Sequence, residues 1–78
     1  MSKSVVKAEF TYAVAKRLKE LRRKKGLKQF EVSKTLGLDR STIAKYETGV
    51  AAPNIVVLIH MAKLYEASAD YILGLKDY

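Results

Sequence analysis

The stretch from Gln29 to Glu47, QFEVSKTLGLDRSTIAKYE, constrains the fold more than any other part of this chain. Its apolar residues, Val32, Leu36, Leu38, Ile43 and Tyr46, fall at helical spacing on either side of Gly37. Ser33 gives a small side chain for close helix approach, and Gly37 takes a positive φ without strain. Two short helices joined by a tight turn are therefore expected. The outer side of the second helix is left polar, with Arg40, Ser41, Thr42 and Lys45. A polar helix face held up by a compact apolar pair is how a helix is presented to the DNA major groove.

The 78 residues make one domain, near the lower limit for a self-sufficient core. Cysteine is absent, so neither a disulfide framework nor a thiolate zinc site supports it. Packed aliphatic side chains must do so, and 49% hydrophobic residues suffice. The longest apolar run, residues 55–59, is too short to cross a bilayer, and the N-terminus lacks a signal-peptide stretch, so a cytoplasmic protein is expected. His60 is the only histidine and has no carboxylate or cysteine at ligand spacing. With no glycine-rich phosphate loop and no nucleophile–base pair, no enzyme, metal, cofactor or small-molecule site is expected.

The net charge of +7 is unevenly spread. Residues 1–28 hold ten Lys and Arg against Glu9 and Glu20, a net +8, whereas residues 29–78 carry −1. The basic excess belongs to the first helix and the turn after it. It reads either as a phosphate-attracting patch or as a solvated face that keeps a small protein soluble.

Periodicity gives five helices and no strand. Phe10, Val14, Leu18 and Leu21 form the apolar stripe of a first helix over about residues 9–25, ended by Gly26. A second helix covers about residues 28–36, with Gln29 as a candidate cap. A third follows Asp39, a good N-cap residue, and stops at Gly49. Asn54 can cap a fourth helix reaching about residue 65, and Ser68 a short fifth helix ending near Gly74.

Arg22, the GLKQ step at 26–29, LGLDRSTI at 36–43, YETG at 46–49 and the S-x-D-x-I-L ending occur in an order that resembles the phage repressor and Cro (XRE-type) helix-turn-helix family. The resemblance runs from about Ala13 to Leu73. It implies an all-α, five-helix lambda-repressor-like domain over residues 13–74, with a partly helical N-terminal extension at 1–12 and a tail at 75–78. It implies double-stranded DNA as partner, with Arg40, Ser41, Thr42 and Lys45 at base edges. Arg40 and Lys45 would read guanine. Gln29, flanked by Lys28 and Thr48 and joined by Arg23 and Lys25, would hold phosphates. Arg22 and Glu47 look like the family's structural ion pair between the first helix and the end of the third.

Some positions depart from that pattern. Ser33 stands where alanine is usual and can bond back to the Gln29 carbonyl. Glu66 falls where a helix-ending glycine is common. Phe30 lies on the usually exposed face of the second helix, and the sequence leaves open whether it folds over the preceding turn or touches a partner. Val5, Val6, Phe10 and Tyr12 make the extension apolar enough to lengthen the first helix or cover the core.

The fourth helix adds Val56, Val57 and Ile59 to its expected core residues Ile55, Leu58, Met61 and Ala62, more than a single stripe. A homodimer is expected, with Val57, Ile59, His60, Tyr71 and Leu75 at the interface. The function expected is a small bacterial or phage repressor binding an inverted repeat. The alternative is an antitoxin or adaptor that binds a partner protein and uses DNA for autoregulation. No aromatic platform of an RNA-binding surface is visible.

Overall fold

The computed structural model describes the backbone of residues 3–77 and the side chains of residues 11–77. It holds five helices: α1 (Lys3–Lys24), α2 (Gln29–Leu36), α3 (Arg40–Thr48), α4 (Ile55–Leu64) and α5 (Ala69–Leu73). No strand occurs among the described residues. The N-terminal extension lengthens α1 to Lys3. Tyr12 points outward at 69% exposure, so it does not cover the core. The side chains of Val5, Val6 and Phe10 lie outside the described residues.

Each helix sends one fully buried side chain to a common centre: Leu18 from α1, Val32 from α2, Ile43 from α3, Met61 from α4 and Ile72 from α5. Burying a side chain of this kind contributes roughly 1.5–3 kcal/mol. Val14, Tyr46, Leu58, Ala62 and Tyr65 complete the cluster, with Leu21, Leu36 and Leu38 packed at its edge. α3 lies against both α1 and α2, and α5 returns to α1. The reading candidate α3 is thereby held from behind by two helices.

The turn between α2 and α3 depends on Gly37. Its φ of 68° lets Leu38 N–H reach the Ser33 carbonyl at 2.8 Å, closing the end of α2 while turning the chain. The caps differ from expectation in three places. Lys28 occupies the cap position of α2, where its N–H donates to Glu31 Oε1 at 2.9 Å, and Gln29 is the first helical residue. Asp39 precedes α3 with extended backbone, yet its side chain makes no capping hydrogen bond. Ser33 donates to the Phe30 carbonyl at 2.8 Å instead of that of Gln29, because its buried rotamer reaches back three residues. Asn54 and Ser68 do cap α4 and α5, accepting from Val57 N–H at 2.9 Å and Tyr71 N–H at 3.0 Å.

α4 also corrects the expected partition. Ile55 is 74% exposed because it sits at the first position of the helix, beyond the packed layer. Val57 packs against the core cluster. The outward apolar residues are Ile55, Val56 and Ile59, beside exposed His60.

The end of α4 is built like that of α2, but without glycine. Ala67 N–H donates to Ala62 O at 2.9 Å and Glu66 N–H to Lys63 O at 3.2 Å, with Glu66 at φ 53°. A residue with a Cβ carries strain there that glycine does not. A hydrogen bond from Lys25, together with its charge, holds the Glu66 carboxyl below the ordinary glutamate range. That pairing stabilises the fold above the ordinary glutamate pKa and fades as pH falls through the lowered one. Being solvent-exposed, it contributes little. Glu66→Gly is therefore expected to raise the thermal midpoint by a few degrees at neutral pH, and by more at pH 3. Thermal melts followed by circular dichroism check both; a lower midpoint at both pH values contradicts the strain argument.

Candidate nucleic-acid interface

Glu47, in the last turn of α3, has a side chain only 2% exposed. Arg22 near the end of α1 grips it with two bonds, Nε to Oε2 at 2.6 Å and Nη2 to Oε1 at 3.0 Å. The remaining arm of the guanidinium, Nη1, donates to the Leu27 carbonyl at 2.7 Å in the α1–α2 turn. Gln29 Nε2 adds a third bond to Oε1 of Glu47 at 3.1 Å. One carboxylate thus fixes α1, the start of α2 and the end of α3 relative to each other. The hydrogen bond from Arg22 to Glu47 raises the arginine pKa against the opposing effect of burial. Removing either partner alone would strand the other charge, at a cost of about 3–5 kcal/mol where the pair is fully buried.

Tyr65 lies within electrostatic reach of Glu47 and Arg22. Its hydroxyl is buried and has no hydrogen-bond partner among the described residues. Burial first, and the Glu47 charge second, push its phenol well above the ordinary tyrosine range. It stays neutral and serves as packing.

The buried face of α3 carries Ile43, Tyr46 and Glu47. On the opposite face of the helix, Ser41, Lys45 and Thr48 recur at four- and three-residue steps and are all exposed, with Arg40 exposed at the head. Thr42 is half-buried and leans toward the protein side. Ala44, half-buried between Ser41, Lys45 and Thr48 on the outward face, was not anticipated. A small apolar residue has little signal in a sequence, yet its methyl can meet a thymine methyl in the major groove.

The residues expected at phosphates are only partly brought together. Lys28, Gln29, Phe30 and Arg40 line one shallow groove with Arg22, about 280 Å³ in volume. Phe30 stands there 56% exposed and does not fold over the α1–α2 turn. The N–H groups of the first turn of α2 open beside Gln29 and lack intrahelical acceptors. Thr48 lies in a separate groove with Tyr12, Lys16 and Lys19, and Arg23 lines a third with Lys16, Lys19 and Glu20. Lys25 is set apart, paired with Glu66 beyond the α1–α2 turn. No group of side chains suited to hold a metal occurs among the described residues, and no described helix is long and apolar enough to cross a membrane.

Comparison with known proteins agrees with this geometry. The helix-turn-helix domain family matches residues 15–77. Among similar proteins of Bacillus subtilis (strain 168), the HTH-type transcriptional regulator ImmR is 36% identical over 62 residues, which is 80% of this chain and 49% of that protein. The HTH-type transcriptional regulator AnsR is 38% identical over 58 residues, 74% of this chain and 50% of the relative. The SPbeta prophage-derived uncharacterized HTH-type transcriptional regulator YonR is 35% identical over 57 residues, 73% of this chain and 53% of its own. The chain spans about half the length of the curated relatives it matches. With Gly37 turning α2 into α3 and Glu47 locking both to α1, the chain belongs to the helix-turn-helix domain family of XRE type.

Proposed function

We propose that this chain is a sequence-specific DNA-binding domain of a transcriptional regulator, acting as a repressor in the cytoplasm, that reads the major groove with α3. The observation that carries this is the pairing of an exposed Arg40–Ser41–Lys45–Thr48 face with a buried Arg22–Glu47–Gln29 network directly behind it. Rigid placement is what base reading requires, because a bidentate contact tolerates little misalignment. Arg40 takes guanine O6 and N7 at the head of the helix, and Lys45 reaches the next turn. Gln29 donates one amide hydrogen to Glu47 and keeps the second for a phosphate, which the N–H groups at the start of α2 also hold, with Lys28 adding charge. The relatives' printed names, all of them transcriptional regulators, support the reading. Phe30, being exposed, also suits a protein partner of the antitoxin or adaptor kind, but its position among Lys28, Gln29 and Arg40 ranks that reading second.

The regulator pairs as a homodimer on an inverted repeat with half-sites about 34 Å apart. Exposed Val50, Ile55, Val56, Ile59 and Leu75 form the apolar surface for this, with His60 at its edge. Two residues expected there are engaged elsewhere. Val57 packs inward, and Tyr71 is half-buried against α1, with Arg17 over its ring at 5.3 Å.

Arg40→Ala is expected to weaken binding to the preferred site by about 1–3 kcal/mol and to relax preference at one base pair. Lys28→Ala should weaken all sequences alike and reduce the salt slope by about one unit per protomer. Titration of both variants over several salt concentrations separates these effects; an Arg40→Ala protein with unchanged preference removes α3 from the reading role. For the dimer, Ile59→Glu should sediment as a monomer with its helical circular dichroism intact. A dimer that survives that change places the interface elsewhere.

A further inference from the structure

α1 carries a second basic surface, apart from the groove of Lys28, Gln29 and Arg40, and it includes Arg23. Tyr12, Lys16, Lys19 and Arg23 follow one another at steps of four, three and four residues, which sets them in a narrow line along one face of the helix. All four are exposed, and Lys16, Lys19 and Arg23 have no ion-pair partner among the described residues. Like charges at this spacing repel and destabilise a helix. Glu20, which lines a groove with Lys16, Lys19 and Arg23, accepts from the Tyr71 hydroxyl at 3.5 Å. The line is therefore a ridge with more positive than negative charge, its three cations outside any ion pair among the described residues.

Its position gives it a partner. Where α1 crosses the end of α3, Tyr12, Ala15, Lys16 and Lys19 share a groove of about 250 Å³ with Glu47 and Thr48. The approach is close: a Cβ on Gly49 would lie 3.7 Å from Tyr12 Cα and 3.9 Å from Ala15 Cβ. Glu47, which lines this groove, also accepts from Gln29 in the Arg40 groove, so the two grooves share one buried carboxylate. From Tyr12 to Arg23 the ridge runs about 16 Å at the helical rise, and a DNA strand advances about 3.4 Å along the axis per phosphate.

We propose that Tyr12, Lys16, Lys19 and Arg23 form a second phosphate track, which grips the DNA backbone outside the base pairs read by α3. This rests on the major-groove reading. The contacts carry no base information; they add affinity by releasing counterions. A polyanionic strand suits the ridge because its charges are spaced along a line and face one way, with the Tyr12 hydroxyl as an additional donor.

The test is a salt titration on two duplexes, one enriched by selection from a random pool and one with its sequence shuffled. Lys16→Gln combined with Lys19→Gln should lower the salt slope by about two units per protomer, with the preference between duplexes unchanged and the thermal midpoint no lower. Lys63→Gln, an exposed lysine on α4, should leave the slope at its original value. A protein that distinguishes the duplexes but keeps its slope in the double variant overturns the track alone. If the unaltered protein does not distinguish them, the major-groove reading itself fails, and the track falls with it.

Discussion

The buried carboxylate of Glu47 is the constraint on which the rest of this structure depends. A charge at 2% exposure is costly unless every oxygen is engaged, and here both are. Arg22 satisfies it from α1 and Gln29 from α2, so the desolvation cost of one group is offset only when three helices stand in one arrangement. Hydrophobic burial alone is tolerant of small sliding; a bidentate guanidinium–carboxylate pair is not. The network converts a small apolar core into a platform with a defined orientation.

That platform explains how α3 is displayed in a fixed orientation. α3 has nine residues, too few to be stable alone in water. Ile43 and Tyr46 bind it into the core and Glu47 fixes its rotation, so Ser41, Lys45 and Thr48 face outward together. Core and surface functions are divided by helix periodicity, and the half-buried Thr42 and Ala44 mark the boundary. The basic residues of α1 and the α1–α2 turn then surround this face with positive charge on the side of Gln29 and Thr48.

Much of the fold is legible in the sequence, since five helices with glycine-ended turns follow from local rules. Gly37 marks its turn, and Asn54 and Ser68 mark their helices, because each acts on neighbours within a few residues. Features set by distant parts of the chain are not legible in the same way. The pairing of Lys25 with Glu66 joins residues far apart in sequence and sets Lys25 apart from the groove of Lys28 and Gln29. Ile55 and Val57 are chemically alike, and only the position of the core layer decides that one is exposed and the other packed. Asp39 has the chemistry and the extended backbone of a cap but makes no capping bond. Of the candidate site, the exposure of Arg40, Ser41 and Lys45 followed from spacing but that of Thr42, which is half-buried, did not, and Ala44 and the α1 lysines required knowing which helix faces cross.

The most direct test of the central claim, that α3 reads base edges from a rigidly held platform, is selection of bound duplexes from a random DNA pool at near-physiological salt. The account predicts enrichment of an inverted repeat whose half-sites lie about one turn, ~34 Å, apart. Salt-sensitive bulk binding with no enriched sequence would contradict it.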